Sequence, residues 1–348
     1  MDTSRLSHLL QAYRQAPPQF HATSYWQSYE EEILQTIAAA DLNELRSGKY
    51  PVFASFGFSD VVYTYHPNTP WWKNWLLKLL HRHVIKDRRV LPYGLRIPDI
   101  QRMAYHYCKL RGELSGARSI RDLAMSTFGN PGDLFKIQGR AYSVHFLSYY
   151  LRYCFVQQYV GFQGEETVVE LGSGSGYQIE ILKKLHPGMT ILCFDLPAQI
   201  FLCETYLTHA LGRGRIVGTE ETAQMTDLSG LRRGLVYCFG NWQFPLLEHF
   251  KFDGFWNAAS FGEMEPAVVQ NYLSYVLGNA EWIYLLQARR GKETVGRARV
   301  RQPITFEDYA RYLPGYTLRK QQHAYQAHKR LTQSGGYFEA VWVKEESS

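Results

Sequence analysis

Three glycines at alternate positions, in Glu170-Leu171-Gly172-Ser173-Gly174-Ser175-Gly176, stand between an apolar run and a helical one. A glycine turn between strand and helix lets a ligand lie against the backbone, where any side chain would collide. Several ligands use such turns, and the neighbouring residues discriminate among them. The dinucleotide fingerprint G-x-G-x-x-G/A, counted from Gly172, puts the bulky Tyr177 where helix and strand must pack closely. A phosphate loop ends in Gly-Lys-Ser/Thr, and Gly176-Tyr177-Gln178 offers neither lysine nor hydroxyl. What remains is acidic-x-G-x-G-x-G. Its carboxylate suits a cationic sulfonium ligand with an ammonium group, so the expected cofactor is S-adenosyl-L-methionine. Glu170, Gly172, Ser173, Gly174 and Gly176 would cradle it.

Two further elements complete that site. Asp195 ends the run Ile191-Leu192-Cys193-Phe194, 19 residues after Gly176, where doubly wound folds place a carboxylate for ribose hydroxyls. One carboxylate accepts from two adjacent hydroxyls at once. The competing reading is a helix N-cap before Pro197. Gly240-Asn241-Trp242 follows another apolar run, and either forms an adenine slot or is a plain turn.

The acceptor side is read from Phe255-Trp256-Asn257-Ala258-Ala259-Ser260-Phe261-Gly262-Glu263-Met264, which begins as a strand and ends as a turn. Methyl transfer to an alcohol needs alignment of the nucleophile and removal of its proton. Asn257 and Ser260 could position groups and Glu263 could be the base, unless Glu263 is only a first-turn carboxylate before Pro266. His145 and His249 are the other candidate bases, with a structural role open for each. No Asp/Glu/His cluster has metal-ligand spacing, so no metal is expected.

These residues need a parallel sheet beneath them. From Gly164 onward strand and helix alternate: Thr167–Leu171, Thr190–Leu196, Leu235–Phe239, Phe252–Ala258 and Glu281–Leu286 read as strands, Tyr177–Leu185 and Ala198–Leu211 as helices. Tyr316–His323 and Tyr337–Val343 read as a terminal hairpin-like pair. Before Gly164 the pattern is helical, over residues 24–47, Trp71–Ile85, Pro98–Arg111 and Tyr142–Tyr159, with a break at Phe128-Gly129-Asn130-Pro131-Gly132. The fold class is therefore α/β, with a doubly wound sheet over residues 141–348 and a mainly helical cap over residues 1–140.

Composition fits that division. Residues 1–164 hold 19 Lys and Arg against 12 Asp and Glu, densest at Lys73, Lys78, Arg82, Lys86, Arg88, Arg89 and Arg96, so the chain's net charge of +6 originates there. Such a field attracts anionic substrates or nucleic acid, or is simply a solvated face. Five cysteines without CxxC spacing read as buried thiols of a cytoplasmic protein. No run approaches the ~20 apolar residues that span a bilayer.

Four segments resemble the sugar O-methyltransferases of natural-product and surface-glycan clusters (the NanM type). They are the helix around Trp26, Phe128-Gly129-Asn130-Pro131 with the following Tyr142-Ser143 helix, Glu170-Leu171-Gly172 through Phe194-Asp195-Leu196-Pro197, and Asn257 through Met264. The last matches that family's Asn, Ser and Glu-Met at Asn257, Ser260, Glu263 and Met264. The resemblance implies a Rossmann-like class I methyltransferase sheet with a helical cap. It adds Tyr142, Ser143, Leu196, Asn257 and Ala258 to the cofactor residues, and a glycosyl hydroxyl as acceptor. A small sugar or sugar conjugate is the expected partner, with the N-terminal helices available to pair two copies. An RNA or protein methyltransferase is the alternative, though the Asn/Asp-Pro-Pro-Tyr type of motif for planar amines is absent.

Overall fold

The computed structural model describes residues 4–58, 97–292, 300–324 and 336–345, with Trp72 and Trp75. Apart from Trp72 and Trp75, the helix expected over Trp71–Ile85 lies outside the described residues, as does the basic cluster Lys73 to Arg96. In chain order the helices are α1 (Ser4–Gln15), α2 (Ser24–Ala39), α3 (Ile97–Ser115), α4 (Val144–Val160), α5 (Tyr177–Leu185), α6 (Pro197–Leu211), α7 (Thr219–Thr222), α8 (Pro266–Val276) and α9 (Phe306–Tyr312). The strands are β1 (Phe135–Ile137), β2 (Arg140–Tyr142), β3 (Thr167–Leu171), β4 (Thr190–Asp195), β5 (Ile216–Val217), β6 (Val236–Gly240), β7 (Phe252–Ala258), β8 (Ala280–Ala288), β9 (Tyr316–His323) and β10 (Tyr337–Lys344).

Eight strands form one sheet in the order β5-β6-β4-β3-β7-β8-β10-β9. β5 to β8 run parallel, and β10 is antiparallel to both of its neighbours. Every residue of β4 and β6 is buried, as parallel strands covered on both faces require. The chain winds outward from β3 through β4 to β6, then returns to the other side of β3 as β7 and β8. The crevice at a sheet's carboxyl edge where strand order reverses is where such folds bind ligands. The turn at Gly172 lies at that reversal. The fold is α/β and Rossmann-like, with β10 the one antiparallel strand of this sheet among the described residues. The expected terminal pair forms, with a register shift between Val341 and Trp342. Its insertion of β10 beside β8 was not readable from the pattern.

The chain divides into two compact units. The first groups the sheet with residues up to Ala40, whereas the sequence pattern assigned residues 1–140 to one helical cap. The reason lies in what the first helices bury. Leu6, Leu9 and Tyr13 of α1 and Trp26, Ile33 and Ile37 of α2 are all buried. Arg5 pairs with Glu204 on α6, donates to Thr205 Oγ1 at 2.8 Å, and lies 4.6 Å from the Phe201 ring centre. An apolar stripe marks a helix as packed without naming its partner.

The second unit includes the described residues 41–58 and 97–158. Arg46 is fully buried there, and its Nε donates to Phe128 O at 2.7 Å while Gly132 N donates to Arg46 O at 3.2 Å. Those bonds hold the break at Phe128–Gly132, where Gly129 and Asn130 have φ of +82° and +50°. Among the described residues no helix is long and apolar enough to cross a membrane. None of the five cysteines forms a disulfide, and all five are buried.

Candidate functional site

The turn after β3 is built as its glycines require. Gly172, Gly174 and Gly176 have φ of +78°, +50° and +74°, a region costly for residues bearing a Cβ. Gly172 N donates to Phe194 O at 2.8 Å, which ties the turn to the end of β4. Gly176 then opens α5.

Asp195 lies against the middle of this turn. Gly174 N donates to its Oδ2 at 2.7 Å and Leu196 N to its Oδ1 at 2.8 Å. Each carboxylate oxygen can still accept another bond. Burial pushes the Asp195 carboxyl up to about 7, against the two backbone donors, and the charge of Glu263 adds to the rise. The N-cap alternative does not hold: Leu196 is the N-cap of α6, with no side-chain cap bond. Glu170 is buried at the end of β3.

At the end of β6 the Trp242 indole lies over Gly240, so close that a Cβ there would come within 2.5 Å of the ring. The ring of Tyr13 lies 5.7 Å from it. Asn241 Nδ2 donates to Phe20 O at 2.6 Å and to Tyr272 Oη at 2.8 Å, binding the N-terminal segment to the sheet edge. Its Oδ1 is buried with no partner among the described residues. The segment is thus more than a plain turn.

The stretch after β7 folds back over the sheet. Asn257 is fully buried. Its Nδ2 donates to Leu171 O at 2.9 Å and Ser260 Oγ at 2.7 Å. Its Oδ1 accepts from Phe261 N at 3.2 Å and Gln287 Nε2 at 2.6 Å. With both ends of its amide engaged inside the protein, Asn257 is held as a brace and does not present its amide to an acceptor. Ser260 Oγ also donates to Leu171 O, at 3.2 Å. Between them Ala259 has φ of +76°, a strained conformation for alanine. Ala258 closes β7 at the same edge.

Glu263 sits in a separate turn, Phe261–Glu263, and is not in the first turn of α8, whose N-cap is Glu265. Its carboxylate meets Lys292 Nζ at 2.5 Å and accepts from Trp26 Nε1 at 3.0 Å, while its carbonyl accepts from Thr23 Oγ1 at 2.9 Å. Burial pushes the Glu263 carboxyl up, and Lys292 and the indole pull it back. Burial works to lower Lys292, but Glu263 more than offsets it and holds the ammonium charged. Lys292 also donates to Tyr25 Oη at 3.3 Å. Tyr25, Trp26 and Tyr29 form a cluster of rings with centres 5.6–6.3 Å apart.

His249 is exposed and precedes β7 at the amino end of the strand, the opposite end from the turn, so it is not a base for this site. Tyr142, Ser143 and His145 belong to the second unit. Tyr142 Oη donates to Ile120 O at 3.0 Å, and Ser143 Oγ accepts from Phe146 N at 3.1 Å in the manner of a helix cap. His145 packs edge-on against Tyr149. Among the described residues no group of three or more His, Cys, Asp or Glu gathers to hold a metal ion. Lys292, Thr23 and Gln287 are missed by the sequence reading. Of these only Gln287 carries a signal, as the one polar residue in the apolar run Trp282–Ala288.

No family model matches the chain, and no curated protein matches it. Among solved structures it is similar to magnesium protoporphyrin IX methyltransferase from Synechocystis PCC 6803 with bound SAH, at 11% identity over 58% of this chain and 84% of that one, TM-score 0.41. It is similar to a SAM-dependent methyltransferase from Aquifex aeolicus at 13% identity, over 54% of this chain and 87% of that one, TM-score 0.35. Mitomycin 7-O-methyltransferase shows 12% identity over 57% of this chain and 56% of that one, TM-score 0.35. The fold assignment rests on strand order, not on these distant likenesses.

Proposed function

We propose that the chain is an S-adenosylmethionine-dependent O-methyltransferase acting, without a metal, on a hydroxyl of a sugar or glycosylated metabolite. The observation that carries this reading is the pairing of Asp195 with Gly174 inside the left-handed glycine turn. A carboxylate fixed there at the strand-order reversal suits a ribose diol, and Gly172 and Gly174 stay partly exposed beside it. The residues present fit the cofactor. The glycines form a cradle, Asp195 keeps lone pairs, and Asn241 Oδ1, without a partner among the described residues, is an acceptor matched to an adenine amino edge. The buried carboxyls Glu170 and Asp195 beside the turn suit a ligand that carries a sulfonium and an ammonium group.

When bound, S-adenosylmethionine supplies an electrophilic methyl group for in-line displacement. The protein must then align a hydroxyl and take its proton. Glu263 is the proposed base, because burial favours its protonated form while Lys292 and Trp26 fix its orientation. Asn257 acts as a positioning residue for the turn. Tyr25 and Tyr29, half-buried beside this carboxylate, suit the apolar faces of a sugar ring. Incubating the protein with S-adenosylmethionine and a panel of sugars, sugar phosphates and glycosides, with products read by mass spectrometry, tests the reading. A gain of one methyl on a hydroxyl supports it. Methylation confined to RNA or protein would overturn the acceptor assignment.

A further inference from the structure

β8 contributes one polar side chain to the strand-order reversal. Gln287 is fully buried in the run Trp282-Ile283-Tyr284-Leu285-Leu286-Gln287-Ala288. Burying an amide is unfavourable unless both of its ends are bonded, and here both are. Oε1 accepts from Gly262 N at 2.9 Å, and Nε2 donates to Asn257 Oδ1 at 2.6 Å.

These two bonds reach two functional segments. Gly262 immediately precedes Glu263, and a Cβ on it would stand 3.2 Å from the Gln287 oxygen, so the glycine permits the approach. On the other side the chain of bonds continues from Asn257 to Leu171 O, the carbonyl directly before Gly172. Asn257 has no alternative orientation that keeps this chain. Turning its amide would set Nδ2 against the Gln287 and Phe261 donors, and Oδ1 against the Leu171 carbonyl. Gln287 Nε2 therefore selects the rotamer that points the Asn257 donor at the glycine turn. Ala259, strained between these contacts, shows that the loop does not take its path by local preference.

We infer that Gln287 is a positioning residue that fixes the glycine turn and the Glu263 loop relative to each other. It touches neither the cofactor nor the acceptor, and sets the distance between the methyl donor and the base. This rests on the function proposed above.

The test uses the full chain and S-adenosylhomocysteine as probe, with affinity measured by calorimetry and turnover by methyl transfer. Q287M keeps the volume and makes neither bond. It should weaken binding by roughly tenfold, the scale of one lost buried hydrogen bond, and lower kcat as well as raising KM. N257A should weaken binding similarly. The double variant should bind no worse than N257A, because the two side chains act in series. V276A, which removes methyl groups from a buried position on α8, should lower the melting temperature yet leave affinity unchanged. If Q287M does not fold, Q287E serves, since it retains the bond from Gly262 N and loses only the donor when ionised. Wild-type affinity in a folded Q287M or Q287E, or effects that multiply in the double variant, would overturn the inference. Failure of the unsubstituted protein to bind the probe would instead overturn the proposed function.

Discussion

Replacing Gly172 by alanine perturbs the glycine turn at its tightest point. An ideal Cβ there stands 2.5 Å from Ser260 Cβ and overlaps Ser260 Oγ. The backbone has φ of +78°, which costs alanine about 1–2 kcal/mol. Relieving the overlap moves Ser260, whose hydroxyl bonds Leu171 O and Asn257. Such overpacking costs about 1–3 kcal/mol. The sum is about 2–5 kcal/mol. A unit of ~200 residues loses about 2–4 °C per kcal/mol, so melting should fall by about 4–20 °C. Binding of S-adenosylhomocysteine by the folded variant should fall by at least about tenfold, since the displaced turn is the proposed binding surface. Adding S260G should recover the overlap part of the loss and leave the left-handed part. Scanning calorimetry and titration calorimetry on the wild type, G172A and G172A/S260G measure both quantities. A G172A protein that melts and binds as wild type would refute the reasoning, as would a double variant no better than the single one.

Further outcomes follow from the same geometry. The Asp195 carboxyl stands at about 7 in the folded protein, above its ordinary value, so the fold holds the extra proton between about pH 4 and 7. Its contribution to stability is full below that window and lost as pH rises through it, and melting curves of D195N should lack this slope. Cofactor affinity should run the other way, rising to about pH 7 as the carboxylate proposed to bind the diol ionises, and isothermal titration at several pH values reads it. E263Q should lower turnover by about 10²–10⁴-fold with S-adenosylhomocysteine affinity retained, and unchanged single-turnover rates would reject the base assignment. K292M leaves the buried Glu263 without its cation. It should destabilise by about 3 kcal/mol and move the acid limb of the rate profile to higher pH, because the loss of Lys292 raises the carboxyl further. W26F should move the same limb in the same direction by a smaller step, with no change in melting comparable to that of K292M.

The sheet was legible because its strands are short apolar runs punctuated by glycine and proline, and Asp195 because it stands at a fixed distance beyond the turn. Period and spacing carry that information along the chain. Contacts between distant segments do not appear in any period. The bond from Trp26 to Glu263 spans 237 residues, and Lys292 follows β8 in a turn whose sequence has no motif. Asn257 illustrates a subtler limit. Its position at a strand end was readable, but a reactive amide and a bracing amide look alike until the partners of both ends are known. The same holds for the first forty residues, whose helical stripe is plain and whose partner, the sheet, is not.

The central claim is that the turn from Glu170 to Gly176 binds S-adenosylmethionine with Asp195 on its ribose. Titration calorimetry of S-adenosylhomocysteine into the purified wild type and D195N at pH 8, with NADH as a second titrant, tests it most directly. The account predicts one site per chain for the wild type, a loss of about tenfold or more in D195N, and no heat from NADH. Binding of NADH in place of S-adenosylhomocysteine, or equal affinity in D195N, would contradict it.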